Sequence, residues 1–440
     1  MKLKGFISLY NLSGTTLEYD FVIRGNTAMS MVESKQQRNF QKRRILWVSA
    51  ARLDVDTCQT TQLEILRNLK QRGHNSTLIA IRSGKRIHNK DLGMDLILVP
   101  LKYVPIISPI MYSIIIFFFL PFYVFVSRPD FIITEPDIPL LGFLSTVLFS
   151  KFRKVKLVLD IRSTTVNVDA IPGFVTRVRE FLLSYSFATS ILTAKKLFDG
   201  ITIITPLMKN QICTRFGLNP KRVGVWTSGV STGIFDPEKY YFQKDVLKTE
   251  LGLLGKFIVF YHGIISLKRG LIETVESMSI VKQKYPNVVF FILGGGALTR
   301  AYLEKLIQRN HLQENVVIHD AVDYLQVPSY IAICDVGIVP LPNLPYWRFQ
   351  CPLKLLEYLA MEKVVIAADI PANRTVMDDD KACVYLQSVN PHHIAESIVY
   401  TYLNKEKLAQ WGKSGRNLVQ KNYTWNRVSI DLENYLFSLV

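Results

Sequence analysis

A chain of 440 residues is longer than one ordinary core needs, and the length points to two domains of roughly 150 to 200 residues each. Apolar residues make up 49% and charged residues 20%, which excludes disorder over most of the length. Lys and Arg outnumber Asp and Glu by 53 to 36, and the net charge of +17 seeks an anionic partner: nucleic acid, acidic lipid or a phosphorylated substrate.

The first 42 residues are polar and basic with no continuous apolar stretch, so they read as a flexible tail and not as a secretory signal. The run "MVESKQQRNFQKRR" would equally suit a start at Met31. From Arg43 onward, β-rich runs alternate with helical periodicity, the pattern of βαβ units and a parallel sheet. Strands are expected at 45–49, 77–81, 96–99, 131–134, 157–160, 201–204 and 223–226, which make a first domain of residues 43–236. The five cysteines, Cys58, Cys213, Cys334, Cys351 and Cys383, are odd in number and contain no CxxC pair. That argues against a disulfide framework or a zinc site and fits a reducing, cytosolic setting.

Within this domain the stretch 104–126 is uncharged and long enough to cross a bilayer. Pro105, Pro109 and Pro121 confine an unbroken helix to 110–120, too short to span. A second apolar run at 138–149 leads into "SKFRKVK", whose Lys151, Arg153, Lys154 and Lys156 suit anionic head groups at about 1 kcal/mol each. Attachment to one membrane face is the expectation. The alternatives are two buried helices, or a span that would cut the sheet in half.

A polar stretch at 236–255 leads to further strands at 257–261, 288–293, 316–318, 336–340, 364–367 and 383–385, in a second domain of residues 237–422. Ligands of such sheets bind beyond the carboxyl ends of the strands, so the site is expected in the cleft between the domains. The glycines Gly294, Gly295 and Gly296 lack dinucleotide-binding spacing and read as a tight turn; no Walker A sequence or long internal repeat is present.

The segment "RFQCPLKLLEYLAMEKVVIAADIP" carries the most chemistry. Pro352 suits the first position of a helix over 353–361, whose N-terminus offers amides and a positive dipole end to a diphosphate. Lys354 adds a full charge, and Glu357, three residues on, can accept both hydroxyls of a ribose. The plainer possibility is a packing helix in which Lys354 and Glu357 pair at the surface.

This segment resembles the nucleotide-binding signature of family 4 glycosyltransferases, which have the GT-B fold, an α/β architecture of two facing Rossmann-like domains. The resemblance runs from Arg43 to Leu439 through "QLEILRNLKQRGHNSTLIA", "DGITIITPLMKNQI", "VGVWTSGVSTGIFDP", "VFYHGIISLKRGLIETVESM" and "VVIHDAVDYLQVPSYIAICDVGIVPL". It closes in "YTWNRVSIDLENYL", similar to the family's final helix, here 423–440, which crosses back to the first domain.

The resemblance implies a nucleotide-sugar donor and a retaining transfer, with no cofactor. It puts Glu357 on the donor ribose and Arg269, with Lys268, on the diphosphate. Gly263 lets backbone approach the cleft, while His319, Ala321 and Val322 border the base and Gly295 lines the same edge. Pro352, Leu353 and Lys354 open the donor helix. Arg269 and Lys354 are thereby the cations that meet the growing charge of the leaving diphosphate, so no divalent metal is required. Asp378, Asp379 and Asp380 read as a solvated loop and not as a metal motif.

The chain departs from the family at several positions. Phe349 stands where a first glutamate is usual, leaving Trp347, Arg348 or Gln350 to serve the donor sugar, and Ile264 and Ala321 replace a basic residue and a glycine. Where many relatives carry a histidine, "LVLDIRS" offers Asp160, as proton acceptor or loop cap, and Arg162, as anchor for an acceptor phosphate.

The expected activity is transfer to a lipid-linked or other glycan acceptor at the cytoplasmic membrane face. Rival readings are an epimerase or phosphorylase on the same fold and a catalytically dead nucleotide-binding scaffold. The basic residues gather with no aromatic reading motif, so nucleic acid is not an expected partner.

Overall fold

The computed structural model describes residues 42–52, 60–82, 94–102, 104, 107–136, 141–163, 174–377 and 381–440, and a separate two-stranded pairing of Leu9–Tyr10 with Thr16–Leu17. Residues 1–42 and 43–440 are separate compact units. Cys58, Pro105 and the aspartates 378–380 lie outside the described residues, as do most of 1–42 and the start of the apolar run at 138.

The larger unit holds two parallel sheets. The first comprises β1 (Arg44–Arg52), β2 (Asn75–Arg82), β3 (Asp95–Pro100), β4 (Phe131–Thr134), β5 (Lys156–Ile161), β6 (Gly200–Ile203) and β7 (Val223–Val225), in spatial order 3-2-1-4-5-6-7. The second comprises β8 (Phe257–His262), β9 (Val288–Leu293), β10 (Val316–His319), β11 (Val336–Val339), β12 (Val364–Ala368) and β13 (Cys383–Leu386), in order 10-9-8-11-12-13. Each repeats the doubly wound pattern, with the strand order reversing beside β1 and beside β8. The strands are short apolar runs buried on both faces, as parallel strands under helices must be. All thirteen fall at the positions their β-rich runs predicted, with ends shifted by a few residues.

Helices cover both faces of the first sheet. α1 (Thr60–Gln71) packs with α14 (Trp425–Phe437), which returns from the far end of the chain and buries Trp425, Val428, Leu432 and Leu436 against Trp47 and Ile65. Gly200 and Gly224 have no Cβ because the Tyr435 ring occupies that space. On the other face lie α2 (Ile107–Ser127), α3 (Leu141–Arg153), α4 (Phe174–Leu197) and α5 (Pro206–Phe216). After a short α6 (Lys244–Glu250), the second sheet is covered on one face by α7 (Leu271–Val281), α8 (Ala297–Arg309) and α12 (Pro391–Leu403). The other carries α9 (Val327–Ile333), α10 (Leu353–Ala360), α11 (Pro371–Val376) and α13 (Lys405–Asn422).

Helix α2 corrects one expectation. It runs unbroken for 21 residues through Pro121, past the limits of 110 and 120 that the prolines implied. Proline at 121 withdraws the amide that would bond the Phe117 carbonyl, and the Ser145 hydroxyl of α3 donates to that carbonyl instead at 2.6 Å. The helix is long and apolar enough to cross a membrane by length and composition. Its Tyr112, Ile116, Leu120 and Val124 are buried against the core, with the Tyr112 hydroxyl donating to the Ser49 carbonyl at 2.8 Å. Ile107, Ile110, Ile114, Phe118, Phe122 and Phe125, at helical spacing on the opposite side, are exposed.

Candidate functional site

The donor-side site forms where β8, β9 and β10 end. Their loops are laced together through the backbone: the Gly263 amide donates to Leu293, Gly294 to His319 and Ile265 to Gly295, at 2.8–3.0 Å. No side chain fits at Gly294, where a Cβ would fall on the Gly263 carbonyl, or at Gly270, where it would fall on the carbonyl of Pro340. Gly263 has a φ of 117°, a conformation that favours glycine, and a Cβ there would stand 3.4 Å from Lys354 Nζ.

Helix α10 begins at Leu353 with Pro352 just before it, one place earlier than the first-turn position expected, and no side chain caps it. Its first turn points at this lacework. Lys354 Nζ lies 3.8 Å from the centre of the Tyr261 ring, and Arg269 sits over the Trp347 ring at 4.9 Å. The Trp347 indole donates to the Lys268 carbonyl at 3.1 Å, which fixes the turn carrying Lys268 and Arg269. The helix is pinned to β8 by Tyr358, whose hydroxyl donates to the Phe260 carbonyl at 3.1 Å and accepts from the His262 amide at 3.2 Å.

Glu357 is not a surface partner of Lys354. It is 5% exposed, and its carboxylate lies 3.3 Å from His262 Nε2. Burial pushes its pKa up to about 7 against the opposing charge of Lys354. Burial, assisted by Lys354, pushes His262 down to about 3, so the imidazole is neutral at physiological pH. The helix thus presents one cation at its mouth and a readily protonated carboxyl one turn deeper.

His319 packs edge-on to Phe291 and against Tyr330 at 5.4 Å, a partly exposed aromatic step suited to a flat ring. Gly295 faces Ala321 across 3.9 Å of would-be contact, and Val322 packs on the core beside them. Of the residues expected on the donor side, Gly263, Gly295, His319 and Ala321 thus lie on adjoining loops with Lys354 beside Gly263, while Lys268 and Arg269 are held by Trp347.

Those of the first domain are held differently. Asp160 is 0% exposed and accepts from the Thr202 hydroxyl at 2.6 Å and the Trp226 indole at 2.8 Å. Burial raises its pKa to about 6 despite Arg162. Arg162 stacks on the Trp226 ring at 3.7 Å and donates to the Trp226 carbonyl at 2.7 Å. Burial lowers its pKa against the favourable pull of Asp160.

The seam between the domains runs past this cluster. Cys351 is buried there, the Thr205 hydroxyl donates to the Phe349 carbonyl at 2.8 Å, and Leu353 packs against the first domain's core. Phe349 thus places its backbone where the domains meet. Of its neighbours, Trp347 is committed to the Arg269 turn and Arg348 donates to Asn343 at 2.7 Å.

Three contributors went unread in the sequence: His262 beside Glu357, Trp226 and Glu135. Trp226 organises Asp160 and Arg162 from a strand end. Glu135, at the end of β4, accepts from Trp47, Gln62 and Ser49 at 2.8–3.1 Å beside the reversal of strand order. The only local signal was an acidic residue directly after an apolar strand. Among the described residues no three His, Cys, Asp or Glu side chains gather in a metal-binding group, and no disulfide joins the cysteines.

Two doubly wound parallel sheets, with a helix N-terminus and two cations at the carboxyl ends of the second, define the GT-B class. Residues 243–418 match the family described as "Glycosyl transferases group 1". Spore coat protein SA of Bacillus subtilis (strain 168) is 22% identical over 243 residues, 53% of this chain and 63% of that protein, so the match spans less than two thirds of that relative. The crystal structure of a glycosyltransferase from Rickettsia africae ESF-5 superposes with a TM-score of 0.71 at 16% identity, over 91% of this chain and 99% of that one. Anabaena HepE in complex with UDP superposes at 0.66 with 12% identity, over 90% and 100%. At these identities the structural likeness establishes the fold.

Proposed function

We propose that the protein is a retaining glycosyltransferase that moves a sugar from a nucleoside diphosphate sugar to a lipid-linked acceptor at the cytoplasmic face of a membrane. The observation that carries the reading is the approach of Lys354, in the first turn of α10, to Tyr261 and the Gly263 turn, with Arg269 seated on Trp347 in the loop that follows β8. A diphosphate leaving group gains negative charge as the glycosidic bond breaks. Fixed cations and helix-end amides lower that barrier because they bind the transition state more strongly than the donor. They supply the electrostatic stabilisation that a divalent ion would otherwise give. Glu357 takes the ribose hydroxyls and the step formed by His319 takes the base; the UDP held by the structurally similar HepE supports this assignment.

Arg162 serves the acceptor side in this reading, with Asp160 and Trp226 as positioning residues that hold the guanidinium at the seam. Retention follows the family resemblance.

The membrane part rests on the exposed side of α2. Phe152 of α3, which packs with α2, is 89% exposed, and Phe181 of α4 is 70% exposed. The exposed Lys151 and Lys154 flank Phe152 in the chain, and Arg153 stacks on Phe125 at 4.5 Å. An apolar stripe edged by lysines suits an anionic bilayer surface, with the buried side of the same helix keeping it in the fold.

The test is nucleoside diphosphate release from a panel of nucleotide sugars, with and without extracted membrane lipids, for wild type and Glu357→Ala. Release that needs one donor and the lipid and collapses in the variant supports the reading. Donor binding without turnover under every condition would leave a nucleotide-binding scaffold, the reading that Phe349 at the usual glutamate position favours.

A further inference from the structure

We infer that Arg416 is a positioning residue that ties the interdomain hinge to the donor helix, so that α10 moves with the hinge when the two sheets close on each other. The inference rests on the donor-site reading above.

The guanidinium of Arg416, on α13, is 15% exposed and serves both structures at once. Nη1 donates to the Phe235 carbonyl at 3.1 Å and to the carbonyl of Ala360, the last residue of α10. Nη2 donates to Asp236 Oδ1 at 3.1 Å, and Nε lies 3.9 Å from Glu362. Phe235 and Asp236 belong to the chain that leaves the first domain. Lys354 and Glu357 sit on the helix whose other end Arg416 holds.

The surrounding geometry makes this a stiff link. Glu362 has a φ of 57°, and Gly412 of α13 is pressed so close that a Cβ would fall on the Glu362 carbonyl. The two chain crossings between the domains run side by side: the Val230 amide donates to Tyr423 at 2.8 Å, and the Trp425 amide to Val230 at 3.4 Å. Gly229 leaves room only for the Trp425 ring. Phe235 is fully buried, and its ring lies 5.5 Å from Tyr324, in the loop that follows the base-side residues His319–Val322.

A rotation about 230–236 displaces the Phe235 carbonyl and the Asp236 carboxylate together. A planar fork that holds both and also caps α10 transmits the displacement to the helix, whereas a lysine ammonium, a compact point charge on a flexible stem, would not hold three acceptors in a fixed relation. Hinges in two-domain proteins are a few loop or element-terminal residues that absorb the backbone change, and 230–236 is such a stretch.

The experiment compares wild type, Arg416→Lys, Asp236→Asn and the double variant. It measures thermal unfolding, UDP, GDP and ADP affinity by calorimetry, and kcat and KM with the matching donors. The link predicts kcat about tenfold lower in Arg416→Lys, nucleoside diphosphate Kd within about twofold of wild type, and a double variant no slower than Arg416→Lys alone. Unchanged kcat with a lowered Tm, or losses that multiply in the double variant, would overturn it. A wild type that turns over none of the donors removes the donor-site reading and this inference together; a wild type that turns over beside indifferent variants removes the link alone.

Discussion

Glu357 illustrates how burial shapes a single carboxyl. Its pKa of about 7 means that the ionised form, the better acceptor for ribose hydroxyls, is lost as pH falls through neutrality. Donor kcat/KM is therefore expected to drop between about pH 8 and 6, and a flat profile there would count against the assignment. The stability consequence has the opposite sign. A carboxyl whose folded pKa lies above its unfolded value binds more protons in the fold, so stability falls as pH rises from about 4.5 to about 7. Glu357→Gln is expected to remove that slope and to be the more stable protein at pH 8 by roughly 1–3 kcal/mol, measured by denaturant unfolding, while losing turnover.

Asp160 has its pKa raised in the same direction but is held by two side-chain donors. Trp226→Phe removes one of its donors in a fully buried site and is expected to cost about 1–3 kcal/mol in the same measurement. Residue spacing placed Glu357 on the face shared with Lys354, but spacing identifies a face and not what lies above it. His262 and Trp226 come from other strands, and their contacts with Glu357 and Asp160 exist only once the sheets form.

At the scale of the element, α2 shows where a local rule yields to tertiary structure. Proline at 121 was readable as a break, and the hydroxyl that makes it tolerable stands 24 residues further on. Ser145→Ala is expected to cost about 1–2 kcal/mol by stranding the Phe117 carbonyl. Combined with Pro121→Ala, which restores the helix amide, the loss should largely vanish; an equal loss in both backgrounds would show that the hydroxyl does not compensate the proline. The exposed stripe makes a separate prediction. Phe118→Ser with Phe122→Ser should weaken binding to anionic vesicles in a flotation assay by more than tenfold, on the order of 2–3 kcal/mol, while thermal unfolding changes little. Uncharged length at 104–126 was plain in the sequence. Its division into a buried and an exposed side follows from where the sheet lies.

For the whole molecule, the alternation of β-rich runs with helical periodicity made two parallel sheets legible, because each strand is buried on both faces and reads as an apolar run. Contacts between distant parts of the chain were less open to reading. The fork of Arg416 joins residues from positions 235, 236 and 360, and nothing in the local pattern around 416 distinguishes it from other basic residues on an amphipathic helix. Leu432→Ala, in the helix that returns to the first sheet, is expected to cost about 2–5 kcal/mol in chemical denaturation. An unchanged midpoint would mean that α14 adds no cover to that face.

That returning helix also sets an order of maturation. The last strand of the first sheet ends at Val225 and α14 starts at Trp425, so about 200 residues are translated between the sheet and its lid. The second sheet can be assembled and covered from a contiguous stretch of nascent chain. On the first, α1 alone covers Trp47 and Leu78 until α14 is made, and Ile65 of α1 waits for its partner. The part made earliest is finished last, and the newborn protein's exposure to chaperones and to aggregation is concentrated on that face.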